Sequence, residues 1–111
     1  MQIVERVIVA ERASALFRRE LEKCRPGANG LVALVYIASF LDRDRTPIEG
    51  FAPGYIVGPL GSEYVSERWI RAKQSGLPEF YVDPRGGWGG ASAMSIDLAA
   101  TKYAMFSIVP S

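Results

Sequence analysis

Tyr81, Asp83, Arg85 and Trp88 surround or lie within the stretch PRGGWGGAS, residues 84–92. A phenol, a carboxylate, a guanidinium and an indole so close together could hold a ligand or a partner's side chain. Trp88 sits among four glycines, Gly86, Gly87, Gly89 and Gly90. Glycine tolerates backbone conformations that other residues avoid, and an indole at a loop tip can anchor in a partner's pocket. Such a loop could equally act as a lid over a small-molecule or enzymatic pocket, or fold back and cap its own core. A phosphate-loop reading fails, because GGWGG lacks a following Lys-Ser/Thr and opens a strand rather than a helix.

Other candidates are weaker. Asp83 and Asp97 could do acid–base work if one carboxyl were desolvated, but Asp83-Pro84 also reads as a turn. Asp42, Asp44 and Glu49 could bind a cation, although Arg43 and Arg45 compete for them. Cys24 lies beside Lys23 and Arg25 and reads as a structural thiol. Arg68, Arg71 and Lys73, near Tyr64, Trp69 and Gln74, spread around a helix rather than forming a nucleic-acid face.

The chain contains no histidine and one cysteine. The commonest general base and metal ligand are therefore missing, and Ser-His-Asp or Cys-His catalysis and zinc-finger sites cannot be built from this chain. No catalytic residue, metal or cofactor is expected. A net charge of +1 gives no global attraction to nucleic acid or membrane. The lone cysteine suits a reducing compartment. Glu5 and Arg6 interrupt the first apolar run, against a signal peptide, and LVALVYIASFL, residues 31–41, is too short to span a membrane. A cytoplasmic location is expected.

The elements that would position these groups follow from periodicity. With 111 residues, 49% of them hydrophobic, the expectation is a single α+β domain over 1–111. QIVERVIV (2–9) reads as a strand. Ala10, Ala13, Phe17, Leu21 and Cys24 share one helical face over 10–24, with Arg18 and Glu22 able to pair. Residues 31–41 fit either a buried strand or a buried helix, and their β-branched and aromatic residues favour the strand. YIVG (55–58) is a short strand. Ser62 suits a helix N-cap, Val65, Trp69 and Ala72 share a face, Glu67 can pair with Arg71, and Gly76 suits a stop, which predicts a second helix over 63–75. Strands follow at 79–83, 92–98 and 103–109, with residues 84–91 as a hairpin loop between the first two. The expected order is β-α-β-β-α-β-β-β, with two helices on a mostly antiparallel sheet.

IVERVIVAERASALFRRELEK at one end, and GLPEFYVDP, SIDL and MFSIVP at the other, resemble in pattern the HesB-like, A-type iron–sulfur carriers. The family's Gly-Cys-Ser-Gly stretch and C-terminal Cys-Gly-Cys are missing, and Cys24 lies in a different element. Clusters are held chiefly by thiolates, so no residue here takes over that role. The resemblance implies a compact β-rich fold that has lost its cofactor, and a helix at 63–75 is foreign to it.

Together these features point to a small non-catalytic cytoplasmic domain. It would bind a protein partner, or a second copy in a homodimer, through Trp88, Arg85, Tyr81 and Asp83. Exposed strand edges in a small sheet would also favour a dimer. The alternative is a small-molecule-binding or enzymatic domain with 84–91 as its lid. Neither membrane nor nucleic acid is expected as a partner.

Overall fold

The N-terminal run is one strand with two neighbours. In the computed structural model, which describes residues 1–24, 30–37, 44, 53–86, 92–99 and 105–110, β1 (Gln2–Val4) and β2 (Arg6–Val9) are separated only by Glu5. Trp88 and its flanking Gly87, Gly89 and Gly90, like Asp42 and Glu49, lie outside the described residues. The other elements are α1 (Glu11–Lys23), β3 (Gly30–Ile37), β4 (Gly54–Gly61), β5 (Ile70–Ala72), β6 (Phe80–Val82), β7 (Ala93–Leu98) and β8 (Phe106–Pro110). Short 3₁₀ turns lie at Ser62–Tyr64 and Pro84–Gly86.

The eight strands are ordered β1-β5-β6-β3-β4-β8-β7-β2. Because the first and last strands of this order are consecutive in the chain, the sheet curls into a nearly closed barrel. Closure removes most of the exposed edge, and with it the edge-pairing argument for a dimer. Three pairs, β1/β5, β2/β7 and β3/β6, are parallel. The hairpins β3/β4, β5/β6 and β7/β8, and the pair β4/β8, are antiparallel.

These pairings fix the strand directions. β3, β6 and β8 run one way, and the others run back. One end of the barrel therefore collects the last residues of β3, β6 and β8 and the first of β4, β5 and β7. The other end receives α1, which leaves β2 and leads to β3.

Helix α1 closes that end. Ala13, Phe17 and Leu21 recur at helical spacing and are buried. The Phe17 ring stands edge-on to Phe80 and to Phe106, with centroids 5.4 and 5.3 Å away. Val4, Leu34, Val82 and Ile96 complete a core drawn from both sides of the barrel.

The expected α+β architecture, with two helices on a mostly antiparallel sheet, is overturned: the described residues hold one helix and a mixed barrel. The helix expected over 63–75 is absent. Ile70 and Ala72 are buried while Arg71 between them is not, and this period of two fits a strand between β1 and β6. Val65, Trp69 and Ala72 match helical spacing by coincidence, and tertiary pairing overrides that local signal. Ser66 instead holds a local turn, with its carbonyl accepting from Trp69 N–H and its hydroxyl from Arg68 N–H. Arg71 pairs with Glu79 through two hydrogen bonds of 2.8 and 3.0 Å, not with Glu67. Gly76 carries φ +87° in a turn closed by Leu77 N–H on the Gln74 carbonyl. It occupies the place where a type II turn needs glycine. Residues 30–37 resolve the open choice as a strand.

The hairpin reading of 84–91 is also corrected. β6 pairs with β5 and β3, and β7 pairs with β2 and β8. The two strands stand on opposite walls, yet both meet the barrel end remote from α1. The connection between them must therefore join opposite walls at one mouth, which two or three residues could not do.

Candidate functional site

Asp83 follows β6 at the barrel end remote from α1. Parallel pairing of β6 with β3 places it beside Tyr36, and the β3/β4 register sets Tyr36 against Tyr55. The Asp83 side chain is 1% exposed. Its carboxylate accepts from Tyr36 N–H at 3.1 Å and from Arg85 N–H at 3.0 Å. The Arg85 guanidinium adds Nε at 3.0 Å and Nη2 at 2.6 Å to Oδ2. Burial pushes the Asp83 carboxyl up. The side-chain and backbone hydrogen bonds from Arg85, the Tyr36 N–H and the guanidinium charge outweigh it and hold the carboxyl below the ordinary aspartate value. Asp83 is thus an ionised acceptor with its lone pairs in use, suited to holding Arg85 and Pro84–Gly86 in place and not to acid catalysis.

Arg85 rises from this anchor with 67% of its side chain exposed. Its charge is available at the surface although its orientation is fixed. Beside it, Tyr55 is 3% exposed, and its hydroxyl finds no hydrogen-bond partner among the described residues. Burial, followed by the charges of Asp83 and Tyr36, raises its pKa to about 12. Gly86 packs directly on this hydroxyl, and a Cβ there would overlap it. That close approach requires glycine.

The structure thus brings Asp83 and Arg85 together. Tyr81 is half-exposed between the buried Phe80 and Val82, in register with Arg71 and Ala33, and takes no part in the described hydrogen bonds of the Asp83 clamp. Trp88 lies outside the described residues, so only the stem of its loop can be placed. Tyr36 and Tyr55 escaped the sequence reading. Their one signal was an aromatic on either side of the polar, Pro- and Gly-bearing stretch 42–54 of the sequence, which means little until β3 and β4 are in register.

Asp97 does not pair with Asp83. It sits on β7 and accepts two 2.8 Å bonds from Arg12. Those bonds, with a hydrogen bond from Leu98 N–H, hold its carboxyl low. Cys24 is half-buried with Sγ 3.7 Å from the Val57 carbonyl, as a packed structural thiol would be. Arg71 belongs to a strand, so the basic helix face does not exist. Among the described residues no three His, Cys, Asp or Glu side chains gather to hold a metal, and no helix is long and apolar enough to cross a membrane. Comparison with known protein families, with curated proteins and with solved structures finds no match.

Proposed function

We propose that this chain is a small, non-catalytic cytoplasmic binding domain. It presents residues 84–91, carrying Trp88, to a protein partner or to a second copy of itself. The observation that supports this reading is the clamp at the root of the loop. Asp83 locks Arg85 and the Pro84–Gly86 turn to the barrel mouth through four donors. Recognition loops work best when a rigid scaffold sets their stems, because a pre-placed anchor loses less entropy on binding. Arg85 is an exposed cation at the root of the loop, and arginine and tryptophan are both enriched at interface hot spots.

The test follows Trp88 emission in a Trp69→Phe background against protein concentration and a soluble quencher. An indole that is wet when dilute and shielded when concentrated supports self-association. Trp88→Ala should then weaken the association roughly thirtyfold, as for an anchor worth about 2 kcal/mol, with little change in stability. A shielded indole at every dilution, with a large loss of stability on Trp88→Ala, would overturn the reading.

Two observations favour a second reading, in which the loop is a lid over a small-molecule pocket. The loop's ends stand on opposite walls of the barrel at one end, and beneath Gly86 lies a buried hydroxyl without a partner among the described residues. Stabilisation by a metabolite, abolished by Arg85→Ala, would support it. A panel of metabolites without effect would count against it.

A further inference from the structure

One stretch of the barrel wall is apolar on both sides. β3, GLVALVYI, and β4, GYIVGPLG, carry no charged side chain. Val32 and Leu34 on β3, and Tyr55 and Val57 on β4, belong to the core. Side chains alternate along a strand, so Leu31, Ala33 and Val35 face outward, as do Ile56, Gly58 and Leu60. Leu31, Val35, Ile56 and Leu60 each keep part of their surface exposed. Other described walls turn polar groups outward at the same alternation, with Arg6 on β2, Arg71 on β5, and Ser95 and Asp97 on β7. Strands that are apolar throughout are ordinarily covered on both faces, and α1 is committed to the end of the barrel.

The outer face has a relief that fits itself. The register puts Leu31 beside Leu60, Ala33 beside Gly58 and Val35 beside Ile56. Two tall rows thus flank a low one. Among the described residues, no atom lies within 4 Å of a Cβ built on Gly58. Ala33 beside it is buried, so the opening in the low row lies over β4, one step along the strand from the tall Ile56.

We propose that this face packs against the same face of a second copy of the chain. A twofold axis across the strands, between the levels of Gly58 and Ile56, sets each copy's Ile56 in the opening over the other's Gly58. The contact is isologous, each residue meeting its counterpart reciprocally. Sheets packed face to face interdigitate their side chains at a spacing of about 10 Å. Such packing needs no free strand edge, and it does not rest on the loop at 84–91. A face without charge gives a foreign partner nothing to pair with, and a net charge of +1 sets up little repulsion between copies. At about 3.4 Å per residue and 4.8 Å per strand, β3, β4 and the adjoining β6 cover roughly 400 Å² per copy. That is about half of what a stable dimer buries on each partner, so the dimer is weak and forms between micromolar and millimolar protein.

The test is sedimentation of the intact chain from micromolar to millimolar concentration, with amide chemical shifts followed over the same range. A monomer–dimer equilibrium is expected, with concentration-dependent shifts centred on Val35, Ile56 and Gly58. Gly58→Glu puts a charge into the opening and should weaken the dimer about tenfold or more. The space above Gly58 lets the monomer accept it, and the variant's own amide spectrum checks the fold. Ile56→Thr keeps the branched shape, makes the knob polar, and should weaken the dimer by a smaller factor. The proposal is overturned if the chain stays monomeric up to millimolar concentration, which would leave the face to a different partner. It is equally overturned if the folded variants leave the dimer intact. Trp88→Ala tests the loop reading separately and should leave these shifts in place; their loss there, with the Gly58 variant still dimeric, would assign the dimer to the loop instead.

Discussion

The Asp83→Asn substitution tests whether the clamp holds the mouth together. The carboxylate is 1% exposed and accepts from Tyr36 N–H, Arg85 N–H and the Arg85 guanidinium. Asparagine keeps the shape but leaves one oxygen, so its amide must set N–H groups against a buried backbone donor. An unsatisfied buried donor costs about 1–3 kcal/mol. Arg85 loses its counter-charge, but two-thirds of its side chain is wet (67%), so rehydration limits that part to about 1 kcal/mol. The expected loss is therefore about 2–4 kcal/mol. At roughly 4 °C per kcal/mol for a chain this size, the midpoint should fall by about 8–16 °C. Urea unfolding followed by tryptophan emission measures the loss directly, and an unchanged m-value shows that the native state stays compact. The acid limb supplies a second readout. A carboxyl held low in the folded state contributes stability above its unfolded value near 4, and loses it as pH falls through the lower folded value. The gap between wild type and variant should therefore be constant near neutrality and close below about pH 4. A loss under about 0.5 kcal/mol at neutral pH, the size of an ordinary surface change, would refute the clamp.

Two further outcomes follow from the same geometry. Phe17→Ala removes the ring that joins Phe80 to Phe106, and should cost about 3–5 kcal/mol by calorimetry or denaturant; a loss near zero would mean that α1 does not plug the barrel. Tyr55→Phe should be neutral or slightly stabilising, because the hydroxyl has no partner among the described residues to lose. Wild type should lose stability as pH climbs from about 10 in the unfolded chain to about 12 in the folded one, since the folded state holds that proton more tightly. The Phe variant should lack this contribution, and equal alkaline limbs would place the Tyr55 hydroxyl in water.

Local chemistry was legible wherever a single element decides it. The 3.6-residue spacing of Ala13, Phe17 and Leu21 marks α1 because one helix face meets one core. Alternation in residues 92–98 marks β7 because one side of a strand is wet. Asp83 and Arg85 were named for their place beside Trp88, as groups that could meet a ligand or partner, and their pairing with each other came only from the structure. The period over 63–75 misled because Ile70–Ala72 is too short to show its own alternation, so flanking residues lent it a helical one.

Partnership was not legible. No local signal tells that residues 2–9 pair with β5 on one side and β7 on the other, yet this closes the barrel and puts β6 and β7 on opposite walls. Tyr36 and Tyr55 became neighbours of Asp83 only through the β3/β4 and β3/β6 registers. What the sequence alone determined were the residue types, the missing histidine chemistry and the first helix, because each rests on composition or on contacts a few residues apart. The barrel and the grouping of Asp83, Arg85, Tyr36 and Tyr55 at one end of it were decided by tertiary structure, because strand pairing is a choice among distant segments that no short window of chain can encode.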